Sequence, residues 1–145
     1  MNHSPANIIA EYLFGEAILT DPDDSGLWHG YVGVLPDGIE TDDDIAACID
    51  TTPIKDGRVM DGAALFHFGV QILLRARTCN TGYAKAADLQ DALAAVDDEQ
   101  VIIGSNTYQI VNVSDATGIV NLGQEEGTKR RWMFSTNFIA TIKEV

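Results

Sequence analysis

Residues 1–54 contain no lysine or arginine, yet they hold eleven aspartates and glutamates. All nine bases follow, together with the other eleven acids, so nearly all of the net charge of −13 sits in the first third. Such a segment repels a polyanion. That argues against direct nucleic-acid binding, while a surface that lets DNA pass without adhering and a merely soluble acidic surface both fit. Cysteine is scarce: Cys48 and Cys79 stand alone, in no metal-ligand spacing, and are expected to be small buried hydrophobes without chemistry. No apolar run approaches the ~18 residues of a membrane span. The opening MNHSPANIIAEYLFGEAIL has no basic stretch and breaks its apolar stripe with Glu11 and Glu16. It reads as an ordinary helix rather than an export signal, and a cytosolic protein is expected.

Catalytic signatures are missing as well. No GxSxG, HExxH or P-loop pattern occurs, and His3, His29 and His67 have no paired spacing. Asp21, Asp23, Ser25 and Gly26 imitate the first half of an EF-hand loop, but the twelfth position is Val32, where a bidentate glutamate is required. Neither an enzyme nor a metal or cofactor site is expected.

What is present suits one soluble domain spanning 1–145, with 46% apolar and 21% charged residues. A chain of this length buries about 68–70% of its unfolded surface. Ser4 as N-cap with Pro5 behind it starts a helix whose stripe is Ile8, Ile9, Tyr12 and Leu13, ending before Asp21-Pro22. Residues 27–35 and 44–50 read as strands, and residues 51–63 as a long aperiodic loop. After a strand over about 64–77, Asn80-Thr81-Gly82 marks a turn. A second helix over about 83–96 follows, facing inward with Ala86, Leu89, Leu93 and Val96 and outward with Lys85, Asp88 and Asp91. The last third reads as strands, with turns at Gly104-Ser105-Asn106 and at residues 115–118.

Two strands carry the clearest pattern. In FHFGVQILLRAR, Phe66, Phe68, Val70, Ile72 and Leu74 form an apolar row, alternating with His67, Gln71, Arg75 and Arg77. In RWMFSTNFIATI, Trp132, Phe134, Phe138, Ala140 and Ile142 alternate with Arg131, Ser135, Asn137 and Thr141. Period-two alternation is a half-buried strand. Two helices can cover only one sheet face, so the expected fold is a two-layer α+β domain: a mixed or antiparallel sheet with both helices on one side. Strands of roughly 12 residues, about 40 Å at ~3.3 Å per residue, reach the rim of such a domain. Their polar rows then meet water or a neighbouring subunit. Gln71, Arg75, Arg77, Arg130, Arg131 and Asn137 are the candidate contacts. Planar guanidiniums suit bidentate pairing with carboxylates, and the Asp42-Asp43-Asp44 run is a candidate partner from the same chain or the next.

The segments GRVMDGAALFHFGVQILLRA, GYAKAADLQDAL and YQIVNVSDATGIVNLGQEEGTKRRWMFSTNFIATI resemble the tail-terminator (minor capsid or tail-completion) proteins of long-tailed DNA phages. The likeness lies in the GVQILLRA strand, the alanine-rich helix behind it, the Leu-Gly before an acidic loop, and the final strand with Arg131, Phe134, Ser135, Asn137 and Phe138. The SPANIIAEYL and WHGYVGVLPDG segments are also similar. The resemblance implies a virion protein without cofactor or reaction. It implies a hexameric ring that caps the tail tube, stops its growth and docks the DNA-filled head, with the tail-tube protein and a head-completion protein as partners. DNA would pass the ring without specific binding, and Asp42, Asp43 and Asp44 would line that passage. A head–tail connector, a tube subunit and an acidic DNA-mimic inhibitor are the rival readings.

Overall fold

The computed structural model describes residues 1–36, 44–58, 64–126 and 130–145. Helix α1 spans Pro5–Gly15, and α2 spans Cys79–Ala94. The strands are β1 (His29–Val32), β2 (Ile45–Arg58), β3 (Ala64–Ala76), β4 (Glu99–Ile103), β5 (Asn106–Gln124) and β6 (Trp132–Glu144). They form one six-stranded sheet in the order β1-β2-β3-β6-β5-β4. Within this sheet β1 and β2 run parallel and the other strand pairings are antiparallel, and Thr20 adds an isolated parallel bridge to His29. Both helices lie on one face of this mixed, curled sheet, the expected α+β arrangement.

Local chemistry places the helices. Ser4 Oγ accepts the Asn7 amide at 3.2 Å, and Pro5 occupies the first helical position. A second orphan amide, that of Ala6, donates to Asp50 Oδ1 of β2 at 2.8 Å. One hydrogen bond thus caps α1 and fastens it to the sheet. The face turned to the sheet is Ala6, Ile8, Ile9, Ala10 and Leu13, all buried. In α2, Ala86, Leu89, Leu93 and the following Val96 are buried as expected. They meet Ile72, Leu74, Phe134, Phe138, Ala140 and Ile142, the apolar rows of β3 and β6, in one core.

Three sequence expectations are corrected. Residues 51–58 are strand, not loop: β2 stays paired to β3 through two register shifts, at Asp50/Pro53 and Lys55/Arg58. Pro53 is tolerated because β1 pairs only with Ile45–Cys48, so Pro53 lies on a sheet edge. Residues 59–63 lie outside the described residues.

The second helix begins at Cys79, not Tyr83. Thr78 Oγ1 accepts the Thr81 amide at 3.1 Å and caps it. Gly82 is therefore not a turn residue but a close-approach one: a Cβ there would stand 2.5 Å from the Phe134 ring.

Residues 115–118 do not end a strand either. Asp115 Oδ1 accepts the amides of Thr117 (3.2 Å) and Gly118 (2.8 Å), and Gly118 takes φ +72. The ladder to β6 then resumes at Ile119 opposite Thr136. This is a bulge inside one 19-residue strand. The shorter turn at Gly104-Ser105 does close the β4–β5 hairpin, with Gly104 at φ +61.

Candidate subunit interface on the bare sheet face

The face of the sheet turned away from the helices carries the polar rows of β3 and β6. Gln71 stands opposite Asn137, His67 opposite Thr141, and Arg75 opposite Met133. These side chains are stapled across strands. Gln71 Nε2 donates to Ser135 Oγ at 2.9 Å. Asn137 Nδ2 donates to Thr117 Oγ1 of the β5 bulge at 3.1 Å. Thr141 Oγ1 donates to Asn112 Oδ1 at 3.2 Å and lies 2.8 Å from His67 Nδ1. With that hydroxyl proton directed to Asn112, the short contact to His67 is filled by an N–H on Nδ1. Between these polar pairs, Ile49, Leu73 and Ile139 are half-buried. The face is thus a hydrogen-bonded polar lattice with apolar gaps, in which Ser135 and Thr141 are almost fully buried while Gln71 and Asn137 stay partly exposed.

At one end of the sheet the arginines behave differently from one another. Arg75 does not project freely, as its place in the polar row suggested: it is only 2% exposed, and its Nη2 donates to the Pro36 carbonyl at 2.8 Å. The chain leading out of β1 crosses over it. Arg131 is 7% exposed, and its Nε binds Glu125 Oε1. Burial opposes ionisation of Glu125, yet hydrogen bonds and charge from Arg131, with a further contribution from Arg75, hold its carboxyl below the usual range. The two arginines are therefore structural within their own chain, and the expectation that they project as contact residues is corrected on that ground.

Arg77 and Arg130 remain at the surface, the first with its side chain 61% exposed. The Arg77 amide donates to Asp44 Oδ1 at 3.0 Å, and its guanidinium lies 4.0 Å from the same oxygen. Of the acidic run, Asp44 is thus engaged in its own chain, while Asp42 and Asp43 lie outside the described residues.

Sequence reasoning missed Glu125, Ser135 and Thr117 as the partners that orient Arg131, Gln71 and Asn137. The only signal for Glu125 was an acid at the start of the loop preceding Arg131. It also placed no weight on Val120 and Leu122 of β5, apolar side chains that are 39% and 54% exposed.

The acidic first third has a structural counterpart. A cavity of about 650 Å³ opens between α1, the segment after it and β4, with Glu11, Glu16, Asp21, Asp24 and Glu99 among its walls. Burial, then the charges of Glu16 and Glu99, push the Tyr12 phenol up from its ordinary value. The cysteines carry no disulfide. Burial, helped by Asp50, pushes the Cys48 thiol up to about 12, which leaves it unreactive. Among the described residues no group of three or more His, Cys, Asp or Glu is placed to hold a metal.

Both helices cover one flank of the sheet, and the other carries polar side chains bonded to one another across strands. Residues 12–144 match the bacteriophage tail terminator protein family. The chain belongs to that family and is a structural protein of the virion tail. Among solved structures it is similar to a chain from the virion of a native gene transfer agent particle, at 15% identity over 79% of this chain and 78% of that one, with a TM-score of 0.42. Comparison with proteins of curated function gives no match.

Proposed function

We infer that this protein closes into a ring, of six copies as the family resemblance implies, on the last ring of the tail tube. There it halts tube growth and presents the docking surface for the head. The observation that carries this reading is family membership over 12–144, combined with a sheet whose two helices both lie on one face while Gln71 and Asn137 stay partly exposed on the other. In such a ring Gln71 and Asn137 meet a neighbouring copy from the bare face, and Arg77 and Arg130 do so from the strand ends. Arg75 and Arg131 act behind them by fixing the chain that frames this surface. The partners are the tube protein on one side and a head-completion or connector protein on the other.

The acidic first third supports a second element of the reading: DNA passes the ring without being held, because like charge repels it. Asp42 and Asp43 contribute there together with the cavity acids, and Asp44 less, since Arg77 offsets it. No reaction and no cofactor belongs to this function, and residues 1–145 act as one domain.

Native mass measurement with negative-stain imaging of the purified protein tests the reading. A single closed ring, free or on tube ends, supports the terminator. Extended tubes would instead identify a tube subunit, and a tight complex with a DNA-binding enzyme would identify a DNA mimic. Charge-neutral variants of Asp42 and Asp43 should slow DNA ejection from assembled particles, and unchanged ejection would remove the electrostatic part.

A further inference from the structure

A groove of about 330 Å³ runs beside the outer edge of β1, between α1, residues 21–23 and the chain leaving β1. Its charged walls are all acidic: Glu11, Asp21 and Asp23. Among the described residues none of these carboxylates meets a base. Its apolar walls include Phe14 with Val32 and Val34, and both valines are exposed. Backbone groups are open there as well. The Gly33 amide bonds Cys48 of β2, while the Thr20 carbonyl takes the Gly30 amide and the Thr20 amide bonds the Trp28 carbonyl on the outer side. Alternation along the strand therefore turns the N–H and C=O of Val32 outward, just past the part that Thr20 covers.

The opposite margin of the sheet complements this groove. Strand β4 pairs only with Asn106–Ile110, so the outer edge of β5 over residues 119–124 meets no strand among the described residues. That stretch holds no charged residue, and its Val120 and Leu122 are exposed. Gln124 Nε2 donates to the Arg130 carbonyl at 2.7 Å, which keeps Arg130 at the end of the edge. Arg130 is exposed and has no ion pair among the described residues, whereas the neighbouring Glu125 is already held by Arg131. In sequence, residues 126–130 carry two bases and one acid, so this corner is net positive.

Height and direction agree too. Register leads from His29 through Ile45, Arg75 and Met133 to Gly123, and from Val32 through Cys48, Ile72 and Thr136 to Ile119. Residues 29–32 and 119–123 thus stand level on the two margins. Strand β1 runs with β2, and three reversals from β2 to β5 set β1 and β5 in opposite senses. Rotation about an axis along the strands changes neither height nor sense. It brings the β5 margin of one copy, antiparallel, to the β1 margin of the next, a head-to-tail contact of the kind that closes a ring.

We propose that the acidic groove beside β1 is the socket for a second copy of this chain, which enters with the outer edge of its β5 at residues 119–122 and with Arg130. This rests on the ring reading above and specifies how the ring is joined. Val120 and Leu122 supply apolar contact, the open groups of Val32 supply main-chain bonds, and Arg130 meets the groove carboxylates.

Cysteine cross-linking tests the contact. Tyr31 is level with Val120 through Ala47, Leu73 and Ser135. In a Cys79→Ser background, Tyr31→Cys with Val120→Cys should give, on mild oxidation, a ladder of covalent multimers ending at the ring, and neither single change should do so. Circular dichroism checks that each variant folds. Charge exchange supplies a second measurement at exposed sites. Arg130→Glu or Asp23→Arg alone should raise the concentration needed for ring formation by roughly tenfold, and the two together should restore it. Rings that form without the cross-link, or charge reversals that leave ring formation unchanged, would overturn the socket and leave the ring reading intact. Cross-linking by Val120→Cys alone would show like edges meeting, and cross-linking only to added tube protein would assign the edge to that protein; either overturns the proposal. No ring from the unaltered protein, free or on tube ends, would defeat the ring reading itself, and this inference with it.

Discussion

At the scale of single residues, the molecule shows how much of an apparently functional surface is self-satisfied. Arg131 and Glu125 form a largely covered pair, and a covered pair is strongly destabilising when one member is removed. The Glu125 carboxyl titrates below its ordinary 4.5, so the pair adds stability above that value and loses it as pH falls through the depressed folded-state value. Glu125→Gln should therefore lower the thermal midpoint at neutral pH and flatten the acid side of the stability profile. Identical profiles for variant and parent would show that the pair contributes nothing. Gly82 is the second test at this scale. Because Phe134 is 1% exposed and has little room to retreat, Gly82→Ala should destabilise by about 1–3 kcal/mol in urea unfolding.

At the scale of elements, the anchoring of α1 to β2 is open to measurement. Removing the cap with Ser4→Ala should lower stability by about 1 kcal/mol. Asp50→Ala should destabilise comparably, since it strips the Ala6 amide of its partner, and unchanged denaturant midpoints would contradict this account of the helix start.

Helix α1 was legible because Ser-Pro before an apolar stripe has one local solution. Strands β3 and β6 were legible because each alternates over a long run. The extent of β2 was not legible: its ladder to β3 is broken by two register shifts and contains Pro53, so neither period nor composition marks it as a strand. The Asp-Ala-Thr-Gly and Asn-Thr-Gly signals were chemically real but resolved differently. The first makes an Asx-type bulge within β5, and the second yields a capped helix start in which glycine serves packing. The candidate interface was legible as a polar row. That Arg75 lies beneath its own chain was not, because the covering carbonyl belongs to Pro36, 39 positions earlier, and no local pattern reports it.

At the scale of the whole molecule, charge and architecture separate into two roles. Acids cluster around the cavity beside α1, while Arg77 and Arg130 stand exposed at the ends of β3 and β6. If those strand ends meet a neighbouring copy, the pair of changes Arg77→Ala and Arg130→Ala should leave the monomer folded and raise the concentration needed for ring formation. Rim charges act mainly on encounter and specificity, so a modest effect that weakens further with added salt is expected. An Arg75→Ala change should act differently, lowering stability before assembly is tested. The most direct test is to add this protein to polymerising tail-tube protein and measure tube lengths by electron microscopy. Termination predicts short tubes of narrowed length distribution with one ring at one end. Tubes that lengthen as they do without it, or that incorporate it along their walls, would contradict the account.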